Sequence, residues 1–432
     1  MPLGLYISVP FCPTKCSYCN FASDVFSKSA YENYVARLLE DIANSRKLAS
    51  ELGCALGSAR GSSFRSACDD TADSIYLGGG TPSILDAPQL LRISAALRAQ
   101  FALTPDAEIT VECAPGTLTP PLIETLLQCG VNRVSLGVQS FVDREAQSVG
   151  RLHKRTTVLE EIGRLREAGL GNINIDLIAG LPHQTAESWA FSVSETIATG
   201  VPHVSVYMLE VDEDSRLGRE LIAGGARYHA HFVPDDDATA DFYQQACQML
   251  AAADIAQYEI SNFAHTIPDL QNIKLQSNES RHNLKYWTRQ PYLGFGVDAH
   301  SMLAADHNHN EAVHQALRFA TTDSLDSYMN RAPHTMTPVS AQAAIEESLF
   351  LGLRLNRGLD LERLRADFSP MLSQDAVATW ESAIQQCVYE GLLEQQGATL
   401  RLTARGRLLS NEVFARFLTE ETKVGTGHVN PR

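Results

Sequence analysis

Near the amino terminus apolar and polar positions alternate. Leu5, Ile7 and Val9 are separated by Tyr6 and Ser8, the period of two that marks a strand with one apolar face. The pattern recurs down the first half of the chain and predicts strands near Leu3–Val9, Ser74–Leu77, Glu108–Glu112, Arg133–Gln139, Asn172–Ile178 and His203–Leu209, with helical patterns between them. Repeated strand-then-helix units predict an α/β fold with a parallel sheet, closed or partly closed into a barrel. The second face of these strands is polar: Thr110 and Glu112 oppose Ile109 and Val111, and Arg133, Ser135, Gly137 and Gln139 oppose Val134, Leu136 and Val138. Asn172, Asn174 and Asp176 likewise oppose Ile173, Ile175 and Leu177. A small barrel is ordinarily plugged with Val and Leu, so this pattern predicts an interior that is wet or filled by a ligand. The sixth strand fits less well, because Glu210 falls on the face of Val204, Val206 and Met208.

Beyond Pro338 the pattern becomes helical, over Ala341–Leu355 and Gln374–Glu390. Gly391 stops a helix, a short hairpin follows over Leu393–Leu402, and a last helix spans Ala404–Leu418. The expected division is a barrel over 1–265, a connecting region over 266–339, a small mainly α domain over 340–420 and a disordered tail over 421–432. Ser50 to Asp73, rich in Gly, Ser and Ala, reads as a surface loop, and Thr266–Ser280 as another polar loop.

In parallel α/β folds, ligands gather on the loops at the carboxyl ends of the strands. The first such loop holds Cys12, Cys16 and Cys19, spaced by three and then two residues, and the second is Gly78-Gly79-Gly80-Thr81-Pro82. Three thiolates can hold three corners of a four-iron cluster and leave the fourth iron open to a small molecule. A structural zinc site normally takes four ligands, and no fourth Cys or His lies in the loop. Disulfides are disfavoured by an odd total of 9 Cys and by the absence of any secretion signal at the start of the sequence. A triple glycine alone is a weak signal, but its backbone amides can approach a ligand closely, and here it stands in line with the thiol loop. Glu112 and Asp176 are further candidates, since a carboxylate on an inward face is costly without a partner.

Composition narrows the function. The 432 residues carry a formal net charge of −16, which argues against a general nucleic-acid partner, and no apolar run is long enough to span a membrane. From Ser340 onward, 10 Lys plus Arg stand against 12 Asp plus Glu, without the basic run of a DNA-reading helix. A reduced, cytoplasmic protein is expected.

Cys-x3-Cys-x2-Cys with Tyr18 before the last Cys, followed by GGGTP, resembles the radical S-adenosylmethionine superfamily. That resemblance implies a full or partial parallel barrel, a 4Fe-4S cluster on the three Cys, and S-adenosylmethionine chelated to the open iron, where reductive cleavage gives a 5′-deoxyadenosyl radical. YISVPFC, YLGGGTPSIL, VNRVSLGVQSF, GRLH, INIDLIAGLPHQT, YEISNFA, SRHNLKYW and PYLGFGVDAHS narrow the likeness to the group of oxygen-independent coproporphyrinogen III oxidase and the HemW-type heme chaperones. The same resemblance implies a winged-helix-like C-terminal domain.

By that likeness Tyr6, Tyr18, Gly79, Gly80, Thr81 and Glu112 surround the cofactor on iron, and Gln139, Arg151 and Asp176 match positions that in the oxidase hold a second S-adenosylmethionine. Two departures favour a chaperone over the oxidase. Cys19 is followed by Asn20 and Phe21, where the oxidase has a further Cys two residues on, and the long extension that precedes the oxidase's cluster loop is missing. His282-Asn283-Leu284-Lys285-Tyr286-Trp287 resembles a chaperone signature, which implies His282 as a heme ligand. In a chain with 13 His, an imidazole is more often a hydrogen-bonding residue. The expected function is therefore binding of heme and its transfer to an acceptor protein, with an electron donor for the cluster. The alternative is radical decarboxylation of coproporphyrinogen III; a radical RNA modifier is disfavoured by acidity and by the lack of a second Cys cluster.

Overall fold

The computed structural model describes residues 1–54, 56, 71–225, 227–268, 275–305, 314–369 and 374–418. Its first half alternates strand and helix. β1 (Leu3–Val9), β2 (Thr71–Gly79), β3 (Ala102–Cys113), β4 (Arg133–Gln139), β5 (Ile173–Ala179) and β6 (His203–Met208) are parallel neighbours in that order. Between and after them run α1 (Lys28–Glu51), α2 (Ala87–Gln100), α3 (Pro120–Gln128), α4 (Asp143–Ser148), α5 (Arg155–Glu167), α6 (Ala186–Thr199), α7 (Arg216–Ala223) and α8 (Asp236–Ala252). Local chemistry sets several starts: Asp86 and Gln89 form a reciprocal cap on α2, Thr185 and Ser188 do the same on α6, and Asp235 caps α8. Gly200, at φ 65°, ends α6 in the left-handed conformation.

The apolar strand faces make the core. Leu3, Leu5, Ile7 and Val9 of β1, Val134, Leu136 and Val138 of β4, and Ile173, Ile175 and Leu177 of β5 are buried in one cluster with Tyr34, Leu38, Leu97 and Trp189 from the helices. Burying side chains of this size contributes about 1.5–3 kcal/mol each. Glu210 lies beyond the end of β6, so the misfit seen in the sequence falls outside the strand.

The second half extends the sheet where a connecting region was expected. β7 (Ile255–Gln257), β8 (Asn262–Pro268) and β9 (Leu275–Ser277) add antiparallel strands beyond β6. The proposed polar loop over 266–280 thus contains strand, while 269–274 lie outside the described residues. β10 (Tyr292–Phe295) joins β1 in parallel, and β11 (His300–Ala304), β12 (His314–Ala320) and β13 (Thr335–Ser340) continue outward antiparallel. The result is one 13-stranded sheet; among the described residues no strand pair joins its two ends, so the barrel is partial. The 3₁₀ turn Ala230–Phe232 and the helices α9 (Arg281–Trp287) and α10 (Leu325–Met329) complete this part.

The C-terminal elements are α11 (Ala341–Leu353), β14 (Leu359–Asp360), α12 (Leu361–Phe368), α13 (Gln374–Tyr389), β15 (Leu393–Gln396), β16 (Thr399–Leu402), α14 (Ala404–Leu408) and α15 (Ser410–Ala415). They share a core of their own that includes Ile345, Leu349, Trp380, Leu400 and Val413. The expected single helix over 404–418 is broken at Leu409, whose backbone leaves the helical region at φ −104°, ψ 28°. The tail over 421–432 lies outside the described residues.

Helix α9 closes the barrel at the amino ends of the strands. The Glu108 carboxylate of β3 accepts the backbone N–H of Arg281 and of His282, both at 3.2 Å, taking up orphan donors of the first turn. Buried Lys285 pairs with Asp73 at 2.6 Å and donates to the Pro2 carbonyl at 2.9 Å. From below, Glu347 of α11 bridges Arg289 at 2.8 Å and Arg318 at 2.6 Å, and Arg354 lies 4.1 Å from the centre of the Trp287 ring. Replacing Glu108 with Ala is expected to destabilise the protein by about 1–3 kcal/mol, because two buried donors lose their acceptor. Urea unfolding would measure the loss, and amide exchange should quicken in α9 ahead of the parallel strands.

Candidate functional site

The inward residues form rows that climb the barrel. Gly4 and Ser74 stand beside Glu108 at the base. Above them come Tyr6, Tyr76, Thr110 and Arg133, then Ser8 with Gly78 and Glu112 with Ser135, Asn174 and His203. A further row holds Gly137, Asp176 and Ser205. The polar alternation seen in the sequence is therefore one continuous polar lining.

The thiol loop and the glycine loop meet at the carboxyl ends of β1 and β2. The ladder between these strands continues beyond them: Gly80 N–H donates to the Val9 carbonyl and Thr81 N–H to the Phe11 carbonyl, each at 2.8 Å. Gly79 has φ 99°, outside the range most side chains tolerate, and a Cβ at Gly80 would stand 2.6 Å from Phe11 O and 3.0 Å from Cys12 Sγ. The Thr81 hydroxyl donates to Cys12 Sγ at 3.8 Å, and Ser23 Oγ lies 3.6 Å from the same sulfur. Lys15 Nζ donates to the carbonyls of Phe21 and Ser23, which fixes the turn of the loop. On its other sides the loop is held by Ser17 N–H to Val149 O, Thr14 to Gly150 O and Leu217 N–H to Ser17 O. Burial raises the Cys12 and Cys19 thiols above the ordinary value, against the hydroxyls of Ser23 and Thr81 at Cys12 and the charge of Lys15 at both. All three Cys are free, and among the described residues no three His, Cys, Asp or Glu converge tightly enough to hold a single metal ion. Separate thiols on one short loop, with the Thr81 hydroxyl donating to one of them and no side chain at Gly80, would fit a cubane held by thiolates at three of its irons.

Behind the loop the structure brings together most of the residues singled out in the sequence. The Tyr76 hydroxyl donates to Glu112 Oε1 at 2.8 Å. Asp176 accepts from Ser135 Oγ at 3.1 Å and Asn174 Nδ2 at 2.8 Å. Arg151 Nη2 donates to the Tyr18 hydroxyl at 3.3 Å. Gln139, at φ 67°, and Arg151 converge beside Gly137, where a Cβ would lie 3.0 Å from Gln139 Nε2 and 3.3 Å from Arg151 Nη2. Gln139 Oε1, Arg151 Nε and Thr110 Oγ1 are buried without a partner. Such orphans cost about 1–3 kcal/mol each, and Gln139 and Arg151, side by side at Gly137, fit a polar ligand that satisfies them. Burial likewise raises the carboxyl groups of Asp176 and Glu112, Glu112 to about 7 in opposition to its hydrogen bond from Tyr76. The residues thus match the chemistry of S-adenosylmethionine, which offers an amine, a carboxylate and ribose hydroxyls.

Tyr6 and His282 lie lower. Tyr6 packs beside the Tyr76 and His282 rings at 6.2 and 6.3 Å, while those two stack on each other at 5.3 Å, and the three form the floor beneath Glu112. His282 is at the base, 1% exposed, with Nδ1 3.0 Å from Ser74 Oγ and Nε2 2.9 Å from the Tyr286 hydroxyl. Burial, then the neighbouring Lys285 charge, lowers it to about 3. Both ring nitrogens are engaged, so iron reaches Nε2 only after Tyr286 turns away. Tyr76, Ser74 and Glu108 are site residues the sequence reading passed over; the inward alternation Ser74, Tyr76, Gly78 was the available signal.

In the ligand-free chain Glu112 gives a pH signature. The folded protein holds this proton up to about pH 7, whereas an ordinary Glu releases it near 4.5. The Glu112 contribution to stability is thus complete below that lower value and is lost as pH rises through about 7. Glu112→Gln should gain on the wild type by up to about 1.4 kcal/mol per pH unit across this window, measured by urea unfolding at stepped pH. Gly80→Ala should lower the iron retained after cluster reconstitution by displacing Cys12, with little change in far-ultraviolet circular dichroism.

Residues 64–193 match the family model described as the radical SAM superfamily, and residues 339–409 match the HemN C-terminal domain. The chain is 31% identical over 424 residues to the heme chaperone HemW of Lactococcus lactis, covering 97% of this chain and 98% of that protein. To HemW of Bacillus subtilis it is 30% identical over 416 residues, covering 96% and 99%. The solved structure of coproporphyrinogen III oxidase (HemN) from Escherichia coli superposes with a TM-score of 0.75 at 22% identity over 96% of this chain and 90% of that one, a likeness of fold. With its thiol loop on a radical SAM barrel and its full-length likeness to these chaperones, the chain belongs to the HemW heme chaperone family.

Proposed function

We propose that this protein binds heme and passes it to an acceptor protein, carrying a 4Fe-4S cluster on Cys12, Cys16 and Cys19 and S-adenosylmethionine on the open iron. The observation that carries the reading is the pinned junction of the thiol loop with Gly79, Gly80 and Thr81, in a chain that aligns with HemW proteins over nearly its whole length. When bound, the cluster and S-adenosylmethionine supply one-electron reductive chemistry. The chain's own residues hold and orient them. Thr81 and Ser23 place hydroxyls at Cys12 Sγ, and Arg151 offers a fixed cation for a carboxylate. Glu112 gives up its proton against an ammonium group. Gln139 Oε1 is free to accept a hydroxyl hydrogen.

His282 belongs to this reading in a conditional way. It ligates heme iron only if α9 opens; in the closed arrangement it ties α9 to β2 through Ser74. An electron donor must reach the cluster, and the working compartment is the cytoplasm. No helix among the described residues is long and apolar enough to cross a membrane.

The test is direct. Anaerobic, cluster-reconstituted protein should bind hemin with a defined Soret band and leave coproporphyrinogen III unchanged. Replacing Cys12, Cys16 and Cys19 together with Ala should abolish the cluster's iron and its electron-spin signal. Conversion of coproporphyrinogen to protoporphyrinogen, or failure of the wild type to take up hemin, overturns the proposal.

A further inference from the structure

His282 can ligate iron only after Tyr286 turns away and α9 opens, so whatever holds α9 shut controls the ligand. The contacts that hold it lead to the C-terminal domain through α11, which has two working faces. Ile345, Leu349 and Leu353 lie in the core of that domain. Glu347, Leu351 and Arg354, on another stripe of the same helix, turn to α9 and the turn that follows it.

The first tie grips the far end of α9. Buried Glu347 bridges Arg289 Nε at 2.8 Å and Arg318 Nη1 of β12 at 2.6 Å. Arg289, two residues past α9, has φ 50°, a left-handed conformation that persists in a residue with a Cβ only where its surroundings enforce it. The second tie is a stack: the Arg354 guanidinium lies 4.1 Å from the centre of the Trp287 ring, while its Nη2 reaches buried Glu259 at 3.4 Å. The third reaches the capped start. Asn356, just beyond α11, donates its N–H to Tyr258 O at 2.9 Å and its side-chain amide to Gln257 O at 2.8 Å. The Tyr258 hydroxyl in turn accepts the N–H of Ser280, the residue that caps α9, at 3.1 Å.

This contact is less complete than a core. Trp287, Leu351 and Leu355 form a small apolar cluster separate from the two large ones. Trp287 Nε1 and Arg354 Nε are buried there with no partner among the described residues. Unpaired donors and a strained Arg289 both work against the closed arrangement, so parting it forfeits less than parting a finished core.

We propose that α11 is a latch: the C-terminal domain holds α9 against the barrel and so sets how often His282 is free to take heme iron. The inference rests on the heme-carrying reading above and adds its regulation. Glu347 and Arg354 are positioning residues that act through His282. Because only the open form binds, the apparent affinity is the intrinsic one scaled by the open fraction. A loosened latch therefore tightens hemin binding, whereas damage to the fold weakens it.

The experiment pairs amide exchange of α9 with an anaerobic hemin titration, followed in the Soret region, of the full-length, cluster-reconstituted protein. The variants are Glu347→Gln, which keeps the shape without the charge, and Arg354→Lys, which keeps the charge without the flat stacking face. Each should quicken exchange of the α9 amides at least about fivefold and lower the hemin dissociation constant by the same factor, since both report one open fraction. Adding His282→Ala to Arg354→Lys should abolish the gain. Should Glu347→Gln fail to fold, because it leaves two buried guanidinium groups short of a charge partner, Arg354→Lys decides alone. The latch is overturned while heme carriage stands if α9 exchange does not quicken, if it quickens while hemin affinity stays level or falls, or if the gain survives the loss of His282. A wild type that binds no hemin removes the heme-carrying reading itself, and this inference with it.

Discussion

The hydrogen-bond ladder between β1 and β2 does not stop where the strands do. Two further N–H groups, of Gly80 and Thr81, reach the Val9 and Phe11 carbonyls and carry the pairing into the loops. This fixes the chain bearing Cys12 against the glycine loop with no room for a side chain at Gly80. Loops are usually the mobile part of a parallel barrel. Here the loop that must present three sulfurs is pinned by backbone pairing on one side, by Val149 and Gly150 on another, and by Leu217 on a third. The cluster chemistry depends on that rigidity, because a cubane needs its thiolates fixed before it arrives.

The two ends of the barrel differ in how their polar groups are satisfied. At the base, Glu108 takes two N–H groups of α9, Lys285 is paired, and both nitrogens of His282 are bonded. Toward the carboxyl ends, Gln139 Oε1 and Arg151 Nε are orphaned and Glu112 holds its proton. Gln139 and Arg151 stand side by side at Gly137, so a polar ligand there would satisfy both.

Most of the parallel half was legible because its strands carry a strict two-residue alternation. The boundaries of β1 and β4 agree with the sequence, and those of β5 and β6 agree to within a residue at either end. The antiparallel extension was not legible: β7, β9 and β10 span three, three and four residues, too short for a period to declare itself. Cys12 and the glycine loop up to Thr81 lie at the carboxyl ends of β1 and β2, where a motif is anchored to a strand end. Tyr76 was passed over because its role comes from the pleat: it shares an inward face with Gly78 and so points at Glu112.

His282 shows why a motif can name a residue without giving its job. The signature around it lies on a helix of seven residues, too short to be stable alone. In this structure its polar members serve to hold that helix in place: Ser280 caps it, Lys285 bonds the chain start, and His282 joins Ser74 to Tyr286. The same imidazole stacks on Tyr6 and on Tyr76, whose hydroxyl bonds Glu112. A contiguous column of rings therefore runs from the base to the carboxylate at the mouth. Any displacement of α9 must repack that column, whose far end is the hydrogen bond from Tyr76 to Glu112.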